Sequence, residues 1–370
     1  MSTFENVQRQ LQPIRRRSLR AVSVVAAALG ILVFAAPSAF AEVPEVSVTQ
    51  PGQAQTGPGS SDYSNLDYTV SSGGIGSDAW YVFEPSTPTP SNAPVAVITH
   101  GYFEFDGYEA HRSLIEHTVE QGNIVVYPRY QTTAATACPG PFFIEPCIAS
   151  ATAGIKGALD FLTTNPAHVQ PDLSRVSYFG HSFGGIITTN ISNRYRELGL
   201  PEPKAIFLDD PHDGGFAGVG EPALDDDLSG IPADTVFQCY VGESGVIGEQ
   251  GKQDSSCNAI FPRLGQIPEA NKDLILSYDD DRGSPALSSK HGVSNGGALV
   301  GNQFIPAPNP PDAYDFKLWQ LWDAARNYAY TGAEAEYAVG DTPQRRDNGT
   351  WSDGVPVREL KIQKTAPIGP

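Results

Sequence analysis

Apolar residues in this chain follow two alternating patterns. Short β-branched runs read as buried strands, and longer stretches with apolar residues three or four apart read as helices. Leu66 to Ser71 alternates as a strand, and Ala79 to Phe83 is a second. Pro94 to Thr99, PVAVIT, is an unbroken run that ends at His100-Gly101-Tyr102. Glu109 to Glu120 carries Ala110, Leu114, Ile115 and Val119 near helical spacing and stops at Gly122. Asn123 to Tyr127 is the next buried strand. Ile148 to Thr164 is a helix with Ala151, Ile155, Leu159 and Leu162 as its inner stripe. Val176 to Phe179 is a strand, followed at once by a helix in which Ile186 and Ile187 face inward.

The alternation continues with strands at Lys204 to Leu208, Thr235 to Val241 and Leu274 to Tyr278. Helices are expected at Cys257 to Leu264 and at Asp312 to Tyr330, and a strand-like stretch at Val355 to Leu360. Strands alternating with helices predict an α/β fold, a mainly parallel sheet with helices on both faces. Ligands of such a sheet bind at the carboxyl ends of its strands.

The first 41 residues read as an address rather than as structure. Arg15, Arg16, Arg17 and Arg20 precede an apolar run from Ala21 to Ala36, and Ala39-Phe40-Ala41 fits a cleavage site before Glu42. Arg16-Arg17-Ser18-Leu19 also resembles a twin-arginine signal, though Arg15 stands where Ser or Thr is usual. The competing reading is an uncleaved anchor, but the run is short for a membrane span. Residues 42–65 are rich in Pro, Gly, Gln and Thr and read as a flexible leader. Residues 66–370 are expected to form one domain with a C-terminal helix and tail.

Without residues 1–41 the chain keeps 19 basic side chains against 41 acidic, about −22. Such a surface disfavours nucleic acid and anionic membranes, and no stable membrane insertion is expected after signal cleavage. The four cysteines lie in the exported part, where disulfides persist. Cys138 with Cys147 and Cys239 with Cys257 is the expected pairing, each closing one loop beside a strand. No C-x-x-C or clustered histidine marks a metal site, and no cofactor is implied.

Gly180-His181-Ser182-Phe183-Gly184 joins the strand at 176–179 to the helix after it, the G-x-S-x-G pattern of a nucleophile elbow. A bare pattern could be a glycine-rich turn with a capping serine, but the strand before it and the helix after it favour the elbow. A serine hydroxyl needs a base to take its proton, and a histidine base needs a carboxylate to fix its tautomer. Of the seven histidines only His212 and His291 follow Ser182, and His291 sits in a loop after the last core strand. His291 is therefore the candidate base. Asp210 is the first candidate acid, Asp209 the second and Glu243 the third. Asp279, Asp280 and Asp281 read as a solvated turn. Two oxyanion donors are expected from the backbone N–H groups of Phe183 and Tyr102. His100 reads as a structural histidine bonded to backbone.

Over most of residues 66–332 the chain resembles the α/β-hydrolase superfamily. The resemblance rests on His100-Gly101, NIVVYPRY at 123–130, GHSFGG at 180–185 and His291. The elbow followed by an Asp on the next strand looks like the branch of chlorophyllases and platelet-activating-factor acetylhydrolases, and cutinase-like lipases are similar over the elbow. Asp210-Pro211-His212-Asp213-Gly214 resembles the DPVDG-type segment of chlorophyllases, which is why Asp210 stands ahead of Glu243. The acetylhydrolase-like register would select Asp209. The resemblance implies a serine hydrolase of carboxylic esters, with a small-molecule, lipid or polymeric ester as substrate, and the signal-like start of the chain makes a secreted or periplasmic location the expectation. A peptidase or amidase would use the same triad. A non-catalytic binding protein on this fold would be expected to have lost Ser182 or His291.

Overall fold

The computed structural model describes residues 47–102, 104–105, 107–133, 144–212, 224–243, 256–291, 293, 298–300, 303–305 and 310–368. These belong to one compact unit, Ser47–Pro370. The expected signal peptide and Cys138 lie outside the described residues.

Nine strands form the main sheet. In chain order they are β1 (Asp67–Gly73), β2 (Trp80–Ser86), β3 (Asn92–Thr99), β4 (Ile124–Pro128), β5 (Gln170–His181), β6 (Pro203–Asp209), β7 (Val236–Gly242), β8 (Lys272–Ser277) and, after a separate antiparallel pair β9 (Ala298–Val300) and β10 (Gln303–Ile305), β11 (Lys361–Gln363). Their order across the sheet is β1-β2-β4-β3-β5-β6-β7-β8-β11. Strands β3 to β8 run parallel, while β1, β2 and β11 pair antiparallel at the edges. The helices among the described residues are α1 (Arg112–Glu120), α2 (Ile144–Thr164), α3 (Phe183–Asn193), α4 (Tyr195–Leu198), α5 (Cys257–Ile260), α6 (Ala313–Thr331), α7 (Ala335–Ala338) and α8 (Pro343–Arg346). This is the mainly parallel α/β arrangement that the sequence pattern predicts.

Strand alternation divides the core in two. Val95, Val97, Tyr178, Ile206 and Leu208 pack under α2, α3 and α5. Ala96, Ile98, Phe179, Phe207 and Tyr240 pack under α1 and α6, where Trp319 and Trp322 fill the gap. The stripe Ala151, Ile155, Leu159 and Leu162 of α2 is buried as its spacing requires. Asp312 caps α6 by accepting from the Tyr314 N–H at 2.8 Å, and Asp315 accepts the Asp312 N–H at 2.8 Å in return. That box closes a helix of nearly all-buried first turns and fixes where it starts.

Residues 47–65 differ from the expected leader. The Gly59 N–H donates to Asp323 Oδ2 at 2.8 Å, Tyr63 Oη lies 3.2 Å from His117 Nδ1, and the Thr49 N–H donates to Ser352 Oγ at 2.9 Å. Pro and Gly deny this stretch a ladder, so side chains of the domain satisfy its backbone instead. The expected strand at 355–360 also differs. Val357 and Leu360 are buried, but the edge strand is β11, three residues long, and Pro356 enters only an isolated bridge with Thr350. Proline cannot donate to a ladder, which ends the pairing there.

Cys239 on β7 and Cys257 at the start of α5 are bonded as expected, closing a sequence separation of 18. Both are fully buried. Replacing the two by alanine should lower unfolding free energy by about 3 kcal/mol, the chain-entropy cost for a loop of this size. Urea unfolding of the double variant against wild type checks this, and an unchanged midpoint would refute it.

Candidate active site

The candidate site lies at the carboxyl ends of β3, β5 and β6, where the parallel strands stop. Strand β5 runs directly into α3, and Ser182 sits alone between them with φ 53° and ψ −122°. That left-handed conformation is costly for a residue with a Cβ, about 1–3 kcal/mol, and persists only where its surroundings fix it. Here they do. The Ser182 N–H donates to Asp209 O at 2.9 Å, and Ser182 O accepts from the Gly185 and His212 N–H groups at 2.9 and 3.0 Å. The flanking glycines are required by close approach. A Cβ on Gly180 would lie 2.5 Å from Gly184 O, and one on Gly184 would lie 2.3 Å from His100 O. The second contact presses the start of α3 against the loop that leaves β3.

His291 arrives from the loop after β8, with its Nε2 2.9 Å from Ser182 Oγ. Its Nδ1 lies 3.8 Å from Asp210 Oδ2, an ion-pair separation longer than a hydrogen bond. Asp210 is fully buried, and its Oδ2 accepts the Gly242 N–H at 3.3 Å. Like Ser182, Asp210 has a positive φ, 45°, and its N–H is held by Tyr240 O at 2.8 Å. Burial works against protonating His291, but the carboxylates of Asp210, Asp209 and Glu104 outweigh it and hold the ring above its ordinary value. Burial raises the Asp210 carboxyl, with His291 pulling it back and Asp209 adding to the rise.

The structure thus brings Ser182, His291 and Asp210 together. Of the other candidate acids, Glu243 is not brought there, while Asp209 lies near enough for its charge to act on the ring. Glu243 turns to the surface, where its Oε2 meets the Asp279 N–H at 3.1 Å and Arg358 at 3.1 Å. Asp209 is buried at the end of β6, on the alternation that Phe207 sets toward the α6 face. Asp279 and Asp280 are more than a solvated turn. Asp279 Oδ1 accepts the Ser289 N–H at 2.6 Å, and Asp280 Oδ2 accepts from the Trp351 indole at 3.1 Å. They tie the loop that carries His291 to the C-terminal tail. The His212 ring meets the His291 ring edge to face, with centroids 6.0 Å apart.

The two expected oxyanion donors belong to adjacent residues in space, since the Tyr102 and Phe183 rings meet edge to face at 5.6 Å. His100 is buried, stacks on Tyr130 at 4.1 Å and donates from Nδ1 to Gly101 O at 2.7 Å. Burial pushes its imidazole down to about 4, so it stays neutral.

Sequence reading missed Glu104 and His111. Glu104 Oε2 accepts the Gly101 N–H at 2.5 Å and lies 2.7 Å from His111 Nε2, while Oε1 lies 2.9 Å from His181 Nδ1. The three side chains are buried and close enough to share a metal ion, but hydrogen-bond donors already face both carboxylate oxygens. The signal that could have found them was an acid three residues beyond the His-Gly pair. It carries weight only once His181, next to the serine, is known to face it.

No family model matches the sequence, and no curated protein does. Among solved structures, the chain is similar to carboxyl esterase 2 from the mycorrhizal fungus Tuber melanosporum. The identity is 16%, the TM-score 0.45, and the match covers 75% of this chain and 90% of that one. A likeness this distant decides nothing about chemistry, which rests on the site itself.

Proposed function

We propose that this chain is an extracytoplasmic serine hydrolase of carboxylic esters. The observation that carries the reading is Ser182, held at a positive φ with its Oγ 2.9 Å from His291 Nε2. Ser182 Oγ adds to the ester carbonyl as His291 takes its proton. The tetrahedral oxyanion is held by the Phe183 and Tyr102 N–H groups. Collapse expels the alkoxide, which receives the proton from His291, and leaves an acyl-serine. Water repeats the sequence and releases the acid. Asp210 orients His291 and offsets its charge while the ring is protonated. No residue in this scheme calls for a metal or an organic cofactor.

The Cys239–Cys257 bond fits an oxidising compartment, in keeping with the arginine-led apolar start of the chain. Among the described residues no helix is long and apolar enough to cross a membrane. A small-molecule, lipid or polymeric ester is the proposed substrate.

Initial rates on p-nitrophenyl esters from acetate to palmitate, beside the matching p-nitroanilides, test this reading. Turnover of esters alone is expected, and preference for anilides would replace the esterase by an amidase. The same assay gives a pH profile. A base held above its ordinary value stays protonated, and inactive, to higher pH. The acid limb of kcat/KM should therefore lie above the free imidazole value of about 6.5. A limb at or below that value would contradict the charge environment of His291.

A further inference from the structure

We propose, given that Ser182 and His291 act as above, that Glu104 is a positioning residue for the oxyanion loop and for the His291 ring. Glu104 follows β3 in the loop that begins His100-Gly101-Tyr102. Its carboxylate is 3% exposed and faces nitrogen donors from three elements: the loop itself, the start of α1 and the end of β5. Burial opposes its ionisation, yet His181 and His111 hold it well below the ordinary carboxylate range. A buried anion satisfied by fixed donors resists movement, because losing any one of them leaves charge uncompensated.

Two links lead from this anion to the reacting atoms. The first runs through the backbone. Gly101 O and the Tyr102 N–H share one peptide plane and point in opposite directions, as in any trans peptide. Gly101 O is held from one side by the His100 imidazole at 2.7 Å and by the Glu104 N–H at 3.2 Å. The preceding Gly101 N–H is held by the Glu104 carboxylate at 2.5 Å. Both peptides flanking Gly101 are thus clamped, which fixes the direction of the Tyr102 N–H. The same packing explains the glycine. A Cβ at Gly101 would come within 3.0 Å of both Glu104 Oε1 and His181 Nδ1.

The second link runs through His181. One edge of its ring meets Glu104, and the ring lies 4.8 Å from that of His291 at an interplanar angle of 44°. His181 therefore forms a wall against the base, and Glu104 fixes that wall. Among the described residues, the charged and titratable groups around His291 are Asp210, Asp209, His212, His181 and Glu104, with Lys290 beside it in the chain.

Glu104→Gln keeps the shape but removes the buried charge, and its amide N–H₂ can face His181 only if Nδ1 of that ring accepts in place of donating. We expect kcat on p-nitrophenyl butyrate to fall by about 10- to 100-fold, part of the loss seen when an oxyanion donor is removed, with KM little changed. The acid limb of the pH profile should also move to lower pH, because one negative charge near His291 is gone. Glu104→Asp keeps the charge but withdraws the carboxylate from the Gly101 N–H. Its kcat should fall with the acid limb unmoved. Thermal midpoints report whether each variant is folded.

A folded Glu104→Gln with wild-type kcat and profile would overturn the proposal. Should that variant not fold, Glu104→Asp decides, and wild-type kcat there overturns it equally. Wild-type protein inert to both esters and a fluorophosphonate would remove the hydrolase reading and this proposal together. A reactive wild type with insensitive Glu104 variants would remove this one alone.

Discussion

Ser182→Ala should lower kcat on a p-nitrophenyl ester by on the order of 10⁴- to 10⁶-fold and abolish labelling by a fluorophosphonate. The size follows from what the residue does. Without the oxygen no acyl-enzyme forms, and His291 can only activate water. The oxyanion donors and the binding surface remain, so some turnover above the uncatalysed rate survives. The loss is not a folding artefact in disguise. Alanine keeps the Cβ that Ser182 already has, at the same φ of 53°, and the holding bonds all come from main chain: its own N–H to Asp209 O and its carbonyl from Gly185 and His212. The thermal midpoint should therefore stay close to wild type. Equal rates in both proteins would sink the nucleophile and leave a non-catalytic binding protein as the better reading.

The parallel sheet and the elbow were legible because each rests on local pattern. Val95 to Ile98 of β3 and Ile124 to Tyr127 of β4 are buried on both faces with nothing polar between them, and in β5 only the buried Ser177 interrupts the run from Val176 to Phe179. Gly180 and Gly184 announce the elbow because close backbone contacts exclude any side chain there. The rest depends on pairings distant in sequence. Glu104 meets His181 across 77 positions, and nothing near either residue marks the other. Residues 47–65 read as a leader because their own composition cannot make a ladder. The groups that hold them, Asp323, His117 and Ser352, lie on α6, α1 and the tail respectively. The candidate acid was legible only as a choice among three, since alternation says that two adjacent aspartates diverge without saying which one turns inward. The positive φ of Asp210 takes it out of the strand pattern.

That choice has a decisive test. Asp210→Asn should lower kcat by on the order of 10⁴-fold, while Glu243→Gln should remain within a few-fold of wild type. Asp210 accepts the Gly242 N–H and faces His291 Nδ1 from a fully buried position. A carboxylate there favours the tautomer with its proton on Nδ1, leaving Nε2 free to accept from Ser182. An asparagine amide turned toward the ring favours the opposite tautomer, whose Nε2–H points at Ser182 Oγ and cannot take its proton. The 3.8 Å separation suits a partner whose attraction grows when the ring becomes charged, which is the moment it is needed. Glu243 has no such purchase, because its oxygen is engaged by Arg358 and the Asp279 N–H at the surface. Asp209→Asn removes a nearby charge that acts on the ring. It should shift the acid limb of the pH profile to lower pH and cost far less in kcat. If Glu243→Gln proved as damaging as Asp210→Asn was expected to be, the acid would have to approach His291 from β7 and not from β6. The positive φ at Asp210 would then serve the turn alone.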